Sequence, residues 1–120
     1  MDGEDGGHTA EKHFLAALHL FATGQPELAI QGYQMALAAD PTFTDAMHGL
    51  VRIYQDLEQL DAAIDMARRI AEIDPEDVLA HTSLSILYQK KSMVSEAEAE
   101  ANKARILGWK HQLRAQKKSS

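Results

Sequence analysis

Apolar residues in this chain recur three and four positions apart, in six stretches separated by short polar or Gly/Pro breaks. That period places each set on one side of an α-helix. The first helix is predicted from about Thr9 to Ala22, with Thr9 as N-cap and His13, Ala16, Ala17 and Leu20 on one stripe. Thr23-Gly24-Gln25 breaks it, and Pro26 suits the first turn of the next helix, where its missing N–H costs nothing. That second helix turns Ala29, Ile30, Tyr33, Ala36 and Leu37 inward. It stops at Asp40-Pro41, because the residue before proline avoids the α region. A third helix runs from Phe43 or Thr44 to Asp56, with Met47, Leu50, Val51 and Tyr54 inward. A fourth runs from Leu60 to Glu72, with Ala63, Ile64, Ala67, Ile70 and Ala71, and ends at Asp74-Pro75. The fifth starts at Asp77 or Val78 and ends at Lys90, carrying His81, Leu84, Ser85 and Tyr88. The sixth runs from Val94 or Ser95 to about Leu107, and Ser95 with Glu98 matches a capping box. No stretch alternates apolar and polar residues over a strand's length, so the chain reads as all-α.

The helices pair, and the pairs repeat. Ala36-Leu37-Ala38-Ala39-Asp40-Pro41 returns 34 residues later as Ile70-Ala71-Glu72-Ile73-Asp74-Pro75. Units starting at Ala10, Thr44 and Val78 then span 10–43, 44–77 and 78–111. An acidic, Gly-rich segment (1–9), expected to be flexible, precedes them, and a basic tail (112–120) follows. In register, unit 1 offers Ala16-Ala17, Leu20, Ala29, Tyr33, Ala36 and Pro41. Unit 2 offers Met47, Leu50-Val51, Tyr54, Ala63, Ala67, Ile70 and Pro75, and unit 3 His81, Leu84-Ser85, Tyr88, Ala97, Ala101 and Ala104. This pattern resembles the tetratricopeptide repeat (TPR) family, whose 34-residue unit is a helix–turn–helix. The resemblance implies a short right-handed α-solenoid of three units and six antiparallel helices. Small residues such as Ala17, Ala29, Ala63 and Ala97 would let paired helices approach, and Tyr33, Tyr54 and Tyr88 would fill the wider gaps.

Two departures stand out. The bulky opening residue is His13, Met47 and His81 rather than tryptophan, and unit 3 ends in Gly108-Trp109 where Asp-Pro would stand. The array is therefore expected to stop there, with Trp109 and Leu113 folding back over Ala101 and Ile106. Open ends of a short array need a polar face or a cap, which makes dimerisation through an end a live alternative.

Composition narrows the function. The chain has no cysteine, which excludes disulfides, Cys-ligated zinc and a thiol nucleophile. The N-terminus lacks the basic and apolar regions of a secretory signal, and no run is long enough to span a membrane, so a cytoplasmic protein is expected. Charge is uneven. Residues 1–102 hold 18 acids against 6 bases, whereas 103–120 hold 6 bases and no acid. Such a tail could dock on an anionic partner, but a solubilising tail that complements a helix C-terminus is the simpler reading, and nucleic acid is disfavoured. No phosphate loop, nucleophile elbow or His-Glu-x-x-His motif is present. The six histidines show no ligand spacing, so no metal, cofactor or catalytic residue is assigned and the chain reads as a non-enzyme.

Repeat arrays of this kind bind partners on a concave surface lined by the first helix of each unit. The resemblance assigns Phe14, Leu18 and Phe21 of unit 1 to that groove, with Asp45, His48, Arg52 and Gln55 of unit 2 and Leu79, Thr82, Ile86 and Gln89 of unit 3. TPR domains that grip a chaperone's C-terminal carboxylate use a Lys/Asn, Asn, Lys/Arg clamp. The matching positions here are Phe14 and Leu18, Gly49, then Leu79 and Ser83, so every clamp residue is missing and a chaperone-tail adaptor is disfavoured. The expected function is a protein-interaction adaptor holding a partner's peptide or amphipathic helix in a partly apolar groove. The alternative is a homo-oligomer, such as a homodimer, pairing through groove or ends.

Overall fold

A computed structural model describes residues 2–119, with side chains described over 7–118. The described chain is all helix: α1 (Asp2–Ala22), α2 (Pro26–Ala39), α3 (Thr44–Asp56), α4 (Leu60–Ile73), α5 (Val78–Lys90) and α6 (Val94–Ser119).

The turns between helices are built from two devices, each recurring at the 34-residue period. Inside a pair, the chain leaves the first helix through a left-handed residue: Gly24 (φ 78°), Glu58 (φ 59°) and Ser92 (φ 61°). The next amide then donates back across the helix end, Gln25 to the Leu20 carbonyl (2.9 Å), Gln59 to Tyr54 (2.8 Å) and Met93 to Tyr88 (2.8 Å). This pattern satisfies carbonyls that a helix end would otherwise orphan. Between pairs, Asp-Pro forms a tight turn. Phe43 N–H donates to the Asp40 carbonyl at 3.2 Å, and Asp77 N–H to the Asp74 carbonyl at 3.1 Å. The Asp side chain completes the turn, Oδ1 accepting from the Thr42 amide (3.1 Å) in one case and the Glu76 amide (3.1 Å) in the other. Proline supplies the fixed φ of the turn and aspartate its bracing.

Two compact units result, Met1–Met66 and Ala67–Ser120. In the first, Ala17, Ala29, Tyr33, Ala36, Ala46, Leu50 and Ile53 form a buried core, with Phe14, Phe21, Phe43, Tyr54 and Met66 among the side chains packed on it. Backbones come close enough to dictate glycine at two places. A Cβ at Gly32 would stand 2.8 Å from that of Ala17, and one at Gly49 would stand 2.5 Å from Tyr33 Cζ. The Tyr33 ring therefore lies in a slot over α3, 1% exposed, and burial raises its phenol pKa.

The second unit buries Ala67, Ile70, Ala80, Leu84, Leu87, Tyr88 and Ala97, and adds polar contacts to that apolar core. His81, 7% exposed, sits between a Glu100 carboxylate oxygen 2.7 Å from Nδ1 and the Pro75 carbonyl oxygen 3.0 Å from Nε2. Ser85 Oγ donates to the Ala97 carbonyl (2.9 Å), and Arg68 Nε donates to the Tyr88 hydroxyl (2.9 Å). These bonds tie α5 to α6 and to the end of α4.

Four expectations change. Helix α1 begins at Asp2, so Thr9 lies within it rather than capping it, and residues 2–9 are helical. Its buried stripe starts at Ala10, and Ala16 is exposed. Helix α6 begins at Val94, placing Ser95 inside the first turn rather than at the cap, and the Met93 carbonyl accepts from Ala97 N–H instead. That helix continues through Gly108-Trp109 to Ser119, so Trp109 and Leu113 do not fold back; they are 60% and 62% exposed. The reason is local. One glycine costs a helix only about 1 kcal/mol, and with no proline following, nothing halts propagation.

Candidate partner-binding faces

In the first unit, α1 and α3 bring several of the assigned groove residues together. Arg52 lies over the Phe21 ring, its guanidinium carbon 5.7 Å from the centroid, a cation–π contact joining the two helices. Arg52 also pairs with Asp56 at 3.6 Å, and its side chain stays 69% exposed. Leu18, one turn before Phe21, is 46% exposed. His48 and Gln55 are half-buried, and Asp45 is exposed. Phe14 sits differently from a free anchor. Its ring packs 5.8 Å from Tyr33 and 5.2 Å from Phe43, so it is a half-buried part of the aromatic core. The face thus offers the exposed Leu18 beside the Phe21–Arg52 pair.

In the second unit, Leu79, Thr82, Ile86 and Gln89 lie on α5 at intervals of three and four and form one exposed stripe. Leu79 is 56% and Ile86 41% exposed. Thr82 Oγ1 donates to the Val78 carbonyl at 3.0 Å, which turns the hydroxyl back on its own helix and leaves the methyl outward. The opposite side of α5 carries the buried Ala80, His81, Leu84, Leu87 and Tyr88.

The structure adds a steric reason to the missing carboxylate clamp. Position 49 cannot take the clamp's asparagine, because even a Cβ there would overlap the Tyr33 ring. Among the described residues no three His, Asp or Glu side chains gather as a metal cage, and no helix is long and apolar enough to cross a membrane.

The strongest perturbed carboxylates lie elsewhere in the second unit. Glu76 meets Arg114 (3.0 Å), Lys110 (3.6 Å) and His111 (3.7 Å), and the Arg114 guanidinium above all holds its pKa below the usual value. For Glu100, burial pushes upward, but hydrogen bonds from His81 and Lys103 outweigh it and the pKa falls.

Helix pairs, the 34-residue turn devices and the small-residue contacts agree with known proteins. A family model for the tetratricopeptide repeat matches residues 20–87, more than half of the chain. This chain belongs to the tetratricopeptide repeat family. It is 29% identical over 91 residues to TPR repeat-containing protein YpiA of Bacillus subtilis (strain 168), a match covering 76% of this chain and 22% of that one. Among solved structures, the crystal structure of MamA superposes with a TM-score of 0.84 at 25% identity, over 87% of this chain and 61% of that chain. The second TPR of Spaghetti (RPAP3), bound to the HSP90 peptide SRMEEVD, superposes with a TM-score of 0.81 at 16% identity, over 89% and 99%. The chain therefore spans about a fifth of YpiA's length and three-fifths of MamA's.

Proposed function

We propose that this TPR chain is a non-catalytic adaptor that binds a partner's peptide or amphipathic helix on the outward faces of α1 and α3. The observation that carries the reading is the exposed Leu18 beside the Phe21–Arg52 stack. An accessible aliphatic side chain next to an aromatic–guanidinium pair suits an apolar anchor with polar register. Leu79 and Ile86 on α5 offer anchors of the same kind. The family is a protein-interaction fold, and the Spaghetti neighbour holds a peptide. That neighbour's ligand is the HSP90 peptide SRMEEVD, which ends in aspartate, whereas the clamp positions here are Phe14, Leu18, Gly49, Leu79 and Ser83. The proposed ligand is thus recognised by apolar side chains rather than by a terminal carboxylate.

The test is affinity capture from the source cell with wild type beside Leu18→Asp. Loss of the captured partner with helical circular dichroism unchanged supports the assignment, and undiminished capture sinks it. Light scattering across a dilution series checks self-association through the same face, which Leu18→Asp would then disrupt without any partner present.

A further inference from the structure

The unexpected length of α6 creates a second surface. Ile106, Trp109 and Leu113 are 53%, 60% and 62% exposed. Their spacing of three and four is the a/d spacing of a coiled-coil seam, and Asn102 and Gln116 extend it by one step each way. Ala97 and Glu100, which meet Ser85 and His81 of α5, lie on the other side of the helix, so the seam faces away from α5. We propose that this seam docks an acidic amphipathic helix of a partner protein.

Charge selects that occupant. Lys103, Lys110 and Lys117 line one flank of the seam and Arg105 begins the other, in a stretch (103–118) without a single acid. Glu100 reaches Lys103 at 3.1 Å, and Glu76 answers Lys110 and Arg114, while the stretch itself contributes six bases. A second copy fits poorly. Parallel pairing sets Arg105 against a partner Lys110, and antiparallel pairing sets one lysine flank on another; both are repulsive. Lipid fits poorly as well, because the apolar stripe is narrow and bounded by Asn102 and Gln116, whereas interfacial helices bury a broad apolar face. A helix with apolar a/d residues and glutamates at its flanks matches both the seam and its field. This surface is independent of the Leu18 face.

Trp109 is the sole tryptophan, so the seam reports on itself. The full chain is titrated with a synthetic peptide of about three heptads bearing leucine at a and d and glutamate at e and g. The expected result is a blue shift of Trp109 emission that saturates and weakens roughly tenfold between low and moderately high salt. Leu113→Asp should weaken binding at least about tenfold with helical dichroism unchanged, since a buried unpaired charge is costly. Leu18→Asp should bind this peptide normally, which separates failure here from failure of the adaptor reading. Equal binding of a peptide with lysine in place of glutamate overturns the proposal. So does a blue shift in concentrated protein alone that Leu113→Asp abolishes, which would make the occupant a second copy. A shift produced by phosphatidylserine-containing vesicles but not by the acidic peptide overturns it in favour of a lipid surface.

Discussion

Residues 1–66 and 67–120 are written on the same 34-residue ruler, yet they fill it with different chemistry. The first unit closes on carbon: Tyr33 slots over Gly49, Gly32 lets α2 touch Ala17, and Phe14 leans on Tyr33 and Phe43. The second adds hydrogen bonds to its apolar core: His81 to Glu100 and Pro75, Ser85 to Ala97, Arg68 to Tyr88. The substitution is positional. His81 and Glu100 stand one period after Met47 and Met66, so a polar pair occupies places that are both methionine in the preceding repeat. A helical repeat constrains spacing and size at such places more tightly than polarity, provided every buried polar atom finds a partner. Among the described residues no buried side-chain nitrogen or oxygen lacks one.

The largest expected effect breaks the apolar side of the contrast. Gly49→Leu must expel the Tyr33 ring from its slot, since a Cβ alone would come within 2.5 Å of it. Overpacking together with loss of a buried aromatic should cost about 4 kcal/mol, read as a lowered urea midpoint. Adding Tyr33→Ala to Gly49→Leu should make room and cost less than the sum of the two single changes. Additive losses would show that the slot does not couple these residues.

The polar side should break more gently and be repairable. His81→Ala leaves Glu100 Oε1 and the Pro75 carbonyl without the ring that bridges them, while Lys103 still holds Oε2, at about 2 kcal/mol. The double change His81→Met with Glu100→Met copies the preceding repeat, and should return stability to within about 1 kcal/mol of the parent. A double variant as unstable as His81→Ala would mean that the pair contributes more than well-packed carbon can replace. The same variants carry a pH signature. Glu100 titrates below its ordinary value of 4.5, so its contribution is complete above that pH and is lost as pH falls through the lowered folded-state value. Acid denaturation should therefore begin at lower pH in the double methionine variant than in the parent. Glu76 titrates low too but is present in both, so the difference reports the His81–Glu100 pair.

The sequence disclosed the parts of the fold that depend on period. Pro41 and Pro75 located the helix ends, and Ala29, Ala63 and Ala97 located the close contacts, all three essentially buried. Contacts that depend on a particular partner were hidden. Nothing in the sequence says that Glu100 is opposite His81, because its neighbours Glu96 and Glu98 have the same chemistry and are exposed. Register alone makes Phe14 a groove anchor, and only the positions of Tyr33 and Phe43 show why it is half-buried. The end of α6 is hidden from the sequence for a related reason. Gly108-Trp109 breaks the repeat's pattern, but departure from a repeat is not a helix stop, and the true stop signals, proline or a left-handed residue, are absent there.

A smaller effect tests the turns common to both units. Glu58 and Ser92 adopt the left-handed conformation that Gly24 adopts without penalty. Glu58→Gly and Ser92→Gly should each stabilise by up to about 1 kcal/mol, and Gly24→Ala should destabilise by about as much. Matching shifts at positions 58 and 92 would show that the turn is indifferent to whether the unit around it is apolar or polar. A gain at one and a loss at the other would tie the turn to its unit's interior.

The smallest effect concerns what holds the far end of α6. Glu76 gathers Arg114, Lys110 and His111, all solvent-accessible, so the cluster contributes little to global stability. Its influence should be local. Glu76→Gln removes the acid that these cations share, and amide exchange across residues 108–118 should quicken while the thermal midpoint barely moves. Added salt should produce the same change in the parent by screening the pairs. Exchange that stays slow in both cases would mean the extension keeps its order from helix propagation alone, and the seam of Ile106, Trp109 and Leu113 would then be presented as a rigid face without help from the acidic loop.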